Sequence, residues 1–361
     1  MLSLIWLALL LAGAVRASEP QRWTPAQANE WYARQHWLVG SNYIPANAIN
    51  QLEMWQADTF DAPRIERELT WAQGIGMNTM RVFLHNLLWQ QDPRGFTQRI
   101  DTFLQIAARH GIKPLLVLFD SCWDPDPALG AQHAPIPGVH NSGWVQAPGR
   151  ERLADATRYP ELKSYVTGIV GAFAKDERIL AWDVWNEPDN EGGGAYPKQR
   201  GKEELVARLL PQAFEWARAQ HPLQPLTSGL WHGGDWSSAS GLNRIEAIQA
   251  AQSDVLSFHN YDWPELFEGR IKQLLGYGRP ILCTEYMARG NGSTFDGSLP
   301  IGKRYNVAMI NWGFVDGKTQ TRLPWDSWER PYTLQQPPVW HEIDLIKMLS
   351  AAPKGQVLPL N

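Results

Sequence analysis

The chain has 361 residues, a formal net charge of −4 at pH 7, and two cysteines, Cys122 and Cys283. This length suits one large α/β domain, and the weakly acidic charge argues against nucleic-acid and anionic-membrane partners. Two cysteines are too few for a disulfide scaffold and lack the close spacing of a zinc site, so we expect two free thiols. The 19 tryptophans far exceed ordinary usage, and we expect some of them to stack on a ligand.

The first 17 residues have the pattern of a secretory signal. An apolar run at 4–11 is followed by small residues, with Val15 and Ala17 suited to cleavage after Ala17. A basic residue before the run is missing, which leaves a retained anchor as the alternative, although the run is short for a bilayer span. Cleavage would remove one arginine, leave 32 basic against 37 acidic residues, and give a single secreted or periplasmic domain over 18–361.

Beyond the signal, short apolar runs alternate with segments of helical periodicity such as 62–76 and 96–111. Eight runs have the length and composition of strands: 37–44, 77–85, 113–120, 179–187, 225–232, 255–261, 279–286 and 307–314. Eight such units in one chain predict an α/β fold of the closed (β/α)8 TIM-barrel type rather than an open doubly wound sheet. A Gly-rich phosphate fingerprint after the first strand is also missing, which weakens the dinucleotide-binding alternative.

The longest irregular segments each follow a predicted strand and are rich in Gly, Pro, Asp or Trp. They are 121–160, 189–200, 288–302 and 316–331. Such elongated βα loops all lie on the face formed by the carboxyl ends of barrel strands. We therefore expect a binding cleft on that face.

Two glutamates stand where predicted strands end. Glu187 closes the fourth strand in "ILAWDVWNEP", where Pro188 cannot donate to a sheet and should end the pairing. Glu285 closes the seventh strand in "RPILCTEYM". Glycoside hydrolysis requires such a pair, because one carboxylic acid protonates the departing oxygen while the other carboxylate attacks or activates water. Glutamates at strand exits are also common without any catalytic role.

Four short motifs extend this pattern in chain order: "VWNEP", "FHNY", "TEY" and "NWGF". Together they resemble glycoside hydrolase family 5, the cellulase and mannanase type within the clan A barrel hydrolases, over roughly 37–328. The resemblance implies a retaining β-glycosidase that cleaves β-linked, typically β-1,4, glucan or mannan saccharides. It also implies that Glu187 is the acid/base and Glu285 the nucleophile.

The resemblance implies further roles for five residues around the two carboxylates. Asn186 matches the residue that holds the sugar 2-hydroxyl, and Arg81 matches an arginine that pairs with the nucleophile and lowers its pKa. His259 and Tyr261 match the pair on the sixth strand, with the tyrosine hydroxyl donating towards the nucleophile. Trp312 matches the aromatic platform under the sugar at the cleavage point.

One residue of the family pattern is missing. Many members carry a histidine at the end of the third strand, whereas this chain has Asp120 and Cys122 there. His85 and His140 are two alternatives for filling that space. The departure leaves the subfamily, and therefore the sugar, open.

Simpler interpretations exist for several of these residues. Taken alone, His259 and Tyr261 fit core packing, and Trp182 and Trp185 are expected in the core. A non-catalytic carbohydrate-binding barrel and an exo-acting β-glycosidase of a related clan A family are the main alternatives. A metal-dependent hydrolase would need convergent His and Asp ligands, and the first strand lacks the paired histidines of such sites.

These observations lead to a set of expectations about the site. We expect a carbohydrate substrate, a monomer, no metal and no cofactor. Glu187 should titrate above its ordinary range, and Glu285 should stay ionised. The loops predict either an open groove for internal cleavage or a pocket for trimming from one end.

Overall fold

The computed structural model describes residues 21–333, so the expected signal at 1–17 lies outside the described residues. Parallel strands form one sheet: β1 (Val39–Asn42), β2 (Thr79–Phe83), β3 (Lys113–Asp120), β4 (Ala181–Asn186), β5 (Leu226–Thr227), β6 (Leu256–His259), β7 (Ile281–Glu285) and β8 (Ala308–Asn311). Their hydrogen-bonded order is β5-β4-β3-β2-β1-β8-β7-β6. Between β5 and β6, Leu230 bridges to Phe258 and nearly closes the barrel. The predicted (β/α)8 fold is therefore confirmed.

One helix precedes the first strand, and the other helices follow strands and surround the barrel. The helices are α1 (Pro25–Ala33), α2 (Gln51–Trp55), α3 (Ala62–Gly74), α4 (Asn86–Gln91), α5 (Pro93–Arg109), α6 (Arg150–Ala154), α7 (Tyr159–Phe173), α8 (Lys202–Arg218), α9 (Arg244–Gln252), α10 (Pro264–Leu275) and α11 (Phe295–Arg304). Apolar faces of α3, α5, α7 and α8 pack on the outer face of the sheet. Complete burial of a side chain such as Phe103 or Leu209 contributes about 2 kcal/mol each.

Two expectations about elements are corrected by the structure. The predicted strand at 225–232 is regular over only two residues, because the backbone of Ser228 and Gly229 bonds to the side chains of Ser253 and Gln249 instead of a ladder. The segment 288–302 is only partly irregular, since α11 occupies its second half despite two glycines and a proline. Burial of Ile301 and a Thr294 N-cap outweigh their low helix propensity.

The barrel interior is filled with side chains from one mouth to the other. Trp31 and Tyr32 of α1 pack against Leu115 and Ala181, which lie near the starts of their strands. The hydroxyl of Tyr32 donates to the carbonyl of Asn306 at 2.9 Å. Helix α1 thus closes the amino-terminal mouth, and the carboxyl-terminal mouth remains for the cleft.

The expected free thiols are confirmed for Cys122 and Cys283. Trp182 and Trp185 are fully buried, as predicted. Among residues 21–333, no helix is both long enough and apolar enough to cross a membrane.

Candidate active site

The two glutamates singled out in the sequence meet at the carboxyl-terminal mouth of the barrel. Glu187 follows the last residue of β4, and Glu285 is the last residue of β7. One oxygen of each carboxylate and one ring nitrogen of His259 lie within 4.8 Å of one another. Both carboxylates are nearly buried, with 9% and 5% of each residue exposed. The strand ends therefore bring the pair close enough to act on one bond.

Glu187 adopts a backbone conformation that side-chain-bearing residues rarely use. Its φ is 42°, in the left-handed region, which costs of order 1–3 kcal/mol and persists only where the surroundings impose it. Two contacts hold the turn: the amide of Asn190 donates to the Glu187 carbonyl at 2.9 Å, and the hydroxyl of Ser121 donates to the Pro188 carbonyl at 2.6 Å. The strained turn directs the carboxylate into the mouth of the barrel.

Arg81 lies beneath the pair and is fully buried on β2. Its guanidinium donates to Asp183 through Nε (3.0 Å) and Nη2 (2.7 Å), to Asn42 and Glu285 through Nη1 (2.9 and 2.7 Å), and to Asn186 through Nη2 (2.6 Å). These bonds use all five N–H donors of the side chain. Arg81 is therefore locked in one orientation and fixes the position of the Glu285 carboxylate.

Burial raises the pKa of both glutamates. The hydrogen bond from Asn190 opposes this rise at Glu187, and the positive charge of Arg81 opposes it at Glu285. The increase at Glu187 agrees with expectation. Arg81 does lower the pKa of Glu285, as expected, but burial outweighs this effect, so the net pKa of Glu285 is raised. Arg81 shares its charge with the buried Asp183, so less of it offsets the desolvation of Glu285.

His259 and Tyr261, both expected at the site, contact the two carboxylates. The Nδ1 atom of His259 lies 2.7 Å from Glu187 Oε1, and its Nε2 lies 3.6 Å from Glu285 Oε1. Burial lowers the pKa of His259 to about 4, so the ring is neutral at pH 7. Tyr261 donates its hydroxyl to Glu285 Oε2 at 2.6 Å, and burial raises the pKa of that phenol.

Asp120, the last residue of β3, and Cys122, just after it, contact residues of the site. Asp120 accepts hydrogen bonds from the side-chain amide of Asn186 (2.9 Å) and from the indole of Trp144. The Cys122 thiol lies 3.3 Å from Glu187 Oε2. Asp120 therefore orients Asn186, and the thiol faces the carboxylate of Glu187.

The two histidines considered for the third-strand position have different environments. His85 is the N-cap of α4 and accepts from the amide of Leu87 at 3.1 Å, so it serves the fold. His140 lines the cleft, and its Nε2 lies 3.4 Å from the indole nitrogen of Trp312. Burial lowers the pKa values of His85 and His140 to about 3 and about 4, which keeps both rings neutral.

A buried lysine, which sequence reasoning missed, supports the loop that follows Glu187. The ammonium of Lys202 donates to the Ser121 carbonyl (3.0 Å), to Gln146 Oε1 (2.9 Å) and to the Asn190 carbonyl. Asn190 in turn donates from Nδ2 to Glu187 Oε2 at 2.7 Å. Burial lowers the pKa of Lys202 to about 8.

A cleft of about 500 Å³ opens above the two carboxylates and holds the expected platform, Trp312, on one wall. Asp189 lies at the end of the cleft near β5. The indole nitrogen of Trp231 donates to its Oδ1 at 2.9 Å, and Nε2 of His232 lies 2.8 Å from its Oδ2. The sequence carried a signal for Trp231 and His232, because they end the predicted strand at 225–232. It carried one for Asp183 as well, an acid inside an apolar strand.

Comparisons with known proteins match only part of the chain in sequence. A model of glycosyl hydrolase family 10 matches residues 135–229. The chain is 27% identical over 95 residues to a probable mannan endo-1,4-beta-mannosidase A of Aspergillus clavatus, covering 26% of this chain and 24% of that protein. The chain thus spans about a quarter of the length of this curated relative.

Solved structures share the fold over most of the chain. A GH5_18 protein from Streptomyces cattleya in complex with Manβ1-4GlcNAc has 14% identity and a TM-score of 0.54, covering 76% of this chain and 70% of that one. The endo-1,4-beta-mannanase of Rhizomucor miehei has 15% identity and a TM-score of 0.51, covering 76% and 88%. The exo-beta-1,4-mannosidase of Opitutaceae bacterium strain TAV5 has 16% identity and a TM-score of 0.56, covering 86% and 59%. The comparisons support the resemblance to clan A glycoside hydrolases and do not single out family 5, because the matching family model is that of family 10.

Proposed function

We propose that the chain is a retaining β-glycosidase of the family 5 type, acting on β-1,4-linked mannan or glucan saccharides. The observation that carries the proposal is the approach of Glu187 and Glu285, whose nearest oxygens lie within 4.8 Å at the mouth of the cleft. Retaining enzymes place their carboxyl groups about 5–5.5 Å apart, whereas inverting enzymes leave about 6.5–9.5 Å for a water molecule. The short separation favours direct attack by one carboxylate.

In the first step, Glu285 attacks the anomeric carbon while Glu187 transfers its proton to the glycosidic oxygen. The bond between that carbon and oxygen breaks, and the sugar on the departing side leaves as an alcohol. Arg81 donates to one oxygen of Glu285, and Tyr261 donates to the other one, so the carboxylate is held for attack. The raised pKa of Glu187 favours the protonated form that this step requires.

In the second step, Glu187 is ionised and takes a proton from water. The resulting hydroxide attacks the anomeric carbon, releases Glu285, and yields a sugar with its original anomeric configuration. Asn186, oriented by Asp120, is positioned to hold the 2-hydroxyl of the reacting sugar. Trp312 offers an aromatic face for the ring of the same sugar.

The choice of a mannan or glucan substrate rests on the motifs and on similar proteins. The partial relative is named as a mannan endo-1,4-beta-mannosidase, and two of the similar structures are named as a mannanase and a mannosidase. We propose that the protein acts outside the cytoplasm, because 1–17 has the pattern of a secretory signal.

Replacement of each glutamate by alanine tests the roles. Glu285→Ala should abolish turnover of every β-mannoside and β-glucoside. Glu187→Ala should lose about 10²–10⁴-fold on substrates with poor leaving groups and much less on aryl glycosides whose leaving group needs no proton. Azide should restore the activity of Glu187→Ala by attacking the glycosyl–enzyme. Glu265→Ala, on the exposed first turn of α10, is the matched control.

Product analysis and a chelator complete the test. Nuclear magnetic resonance of the first product should show the β-anomer before mutarotation. Activity should persist in a chelator, although Glu187, His259 and Glu285 are close enough to hold a metal ion. Loss of activity on chelation, with recovery on adding Zn²⁺, would contradict the proposed mechanism. If Glu187→Ala lost equal activity on activated and unactivated substrates, Glu187 would not be the general acid.

A further inference from the structure

An aromatic cluster, which we call the end wall, lies at one end of the cleft: Trp123 lines the cleft, Trp328 packs on Trp123, and Tyr196 packs on Trp328. Trp123 and Trp328 stack with ring centroids 5.2 Å apart and an interplanar angle of 17°. Tyr196 packs edge-on against Trp328 with centroids 5.4 Å apart. The three rings come from the loops after β8, β3 and β4, so the wall joins three separate parts of the catalytic face.

Hydrogen bonds fasten the β3 and β8 loops to each other behind these rings. The amide of Asn141 donates to the Thr319 carbonyl at 2.8 Å. The side-chain oxygen of Gln320 accepts a hydrogen bond from the amide of Gly138. Its side-chain nitrogen donates to the carbonyls of Ile136 and Val139. Strands β1 and β2 lie between β8 and β3 in the barrel. The joined loops therefore cross over the β1–β2 side of the mouth.

The end wall lies next to the proposed sugar platform. His140 touches Trp123, with ring centroids 6.0 Å apart, and its Nε2 is 3.4 Å from the indole nitrogen of Trp312. His140 is 2% exposed and is held by the Leu323 carbonyl at 2.7 Å. His140 therefore lies between the platform and the end wall and contacts both.

The opposite end of the cleft, near β5, is more open. Trp231 and His232 line it and are half-buried, and Gly233 and Gly234 beyond them are exposed. A saccharide can extend from the two carboxylates in this direction. The cleft therefore has one closed end at the platform and one open end near β5.

We infer that the protein cleaves β-linked saccharides from the non-reducing end and releases a product of fixed length, one or at most two sugars. This inference rests on the proposed function. The sugar that bonds to the nucleophile lies on the platform, Trp312, and its chain continues towards the non-reducing end. That direction meets the end wall. The departing part of the substrate, protonated by Glu187, leaves towards Trp231.

Wild-type protein tests the inference with β-1,4-manno- and gluco-oligosaccharides labelled at the reducing end. The labelled chain should shorten in constant steps, with the same mono- or disaccharide released from the earliest time point. Methylation of the terminal 4-hydroxyl at the non-reducing end should abolish cleavage, because the added group meets the wall. Labelled mid-sized fragments at early times, or cleavage of the capped chains, would overturn the inference.

Opening the wall provides a second test. Trp328→Ala should cause mid-sized fragments to appear and should make the capped chains substrates, while hydrolysis of small aryl glycosides is retained. Trp263→Ala is the control, because this tryptophan is 62% exposed and belongs neither to the cleft lining nor to the end wall. Failure of Trp328→Ala to change the products would contradict the role of the wall, provided that its aryl glycosidase activity shows a folded site.

The outcomes separate the inference from the proposed function. Hydrolysis of aryl glycosides together with random internal cleavage of polymers overturns only the inference. No hydrolysis of any β-glycoside overturns both. If Trp328→Ala does not fold, the capped-chain experiment on the wild type decides the inference by itself.

Discussion

The thiol of Cys122 lies 3.3 Å from Glu187 Oε2, beside the amide of Asn190 at 2.7 Å. Burial raises the pKa of Cys122, so it stays a neutral thiol and a weak hydrogen-bond donor. A stronger donor at this position would stabilise the ionised form of Glu187 and lower its pKa. Removal of the thiol donor would raise the pKa of Glu187.

This contact leads to a prediction about pH dependence. The proposed acid works in its protonated form, so activity is lost as pH rises through the pKa of Glu187. Cys122→Ser should shift the alkaline limb of kcat/KM to lower pH, and Cys122→Ala should shift it to higher pH. Profiles measured on a poor-leaving-group substrate check the shift. An activated aryl glycoside is the control, and identical profiles for all three proteins would refute the contact's influence.

At the scale of elements, Glu68 joins α3 to the loop after β1. Its carboxyl group accepts from the Tyr43 hydroxyl at 2.8 Å and from the Ala46 amide at 3.3 Å. Burial raises the pKa of Glu68 from 4.5 to about 7 despite these bonds. The folded state therefore retains this proton over a pH range in which the unfolded chain has lost it.

The resulting prediction concerns stability. Glu68 stabilises the fold most below its unfolded pKa, and that contribution is lost as pH rises through its folded pKa. Between pH 4.5 and pH 7 the unfolding free energy of the wild type should fall by about 3 kcal/mol relative to Glu68→Gln. Urea unfolding at pH 5 and pH 8 measures the difference.

A control on the same helix sharpens this measurement. Glu66 also lies on α3, but its hydrogen bonds to Arg109 and His110 lower its pKa. Glu66→Gln should therefore show the opposite, smaller trend with pH. Parallel pH curves for wild type and Glu68→Gln would contradict the assignment.

At the scale of the whole molecule, the barrel is unevenly closed. Strand β3 pairs with β4 in register up to Asp120 and Asn186, whereas β5 has two residues. Across the seam from β5 to β6, the amide of Leu230 donates to the Ser257 carbonyl at 3.0 Å, and the amide of His259 donates to the Leu230 carbonyl at 2.8 Å. Few backbone hydrogen bonds therefore hold this seam.

Hydrogen exchange should reveal the seam as the weakest part of the barrel. Local opening needs less free energy where fewer backbone bonds and buried contacts must break. Peptides covering 226–231 should exchange faster than peptides covering β3 in native-state mass spectrometry. Equal protection of the two regions would mean that the barrel opens only as a unit. Because His259 belongs to the seam and to the site, a bound sugar analogue should slow the exchange there.

The sequence by itself determined the barrel and the location of the carboxylate pair. Apolar runs of strand length and the proline after Glu187 are local signals, and they place strand ends without knowledge of the rest of the chain. Parallel barrel strands all end on one face, so Glu187 and Glu285 had to share that face. The sequence did not predict that β5 is short or that 295–304 form a helix. Side chains distant in sequence bond the backbone after β5, and tertiary packing buries one face of the helix.

Only the tertiary structure decided the surroundings of the pair and the shape of the cleft. The pKa of Glu285 rises because burial, together with the negative charge of Glu187, outweighs the charge of Arg81, and both depend on how the strands converge. The end wall depends on contacts such as that between His140 and Ser327, which are 187 residues apart. Desolvation and long-range contacts have no local sequence signature, because each arises from residues that folding alone brings together.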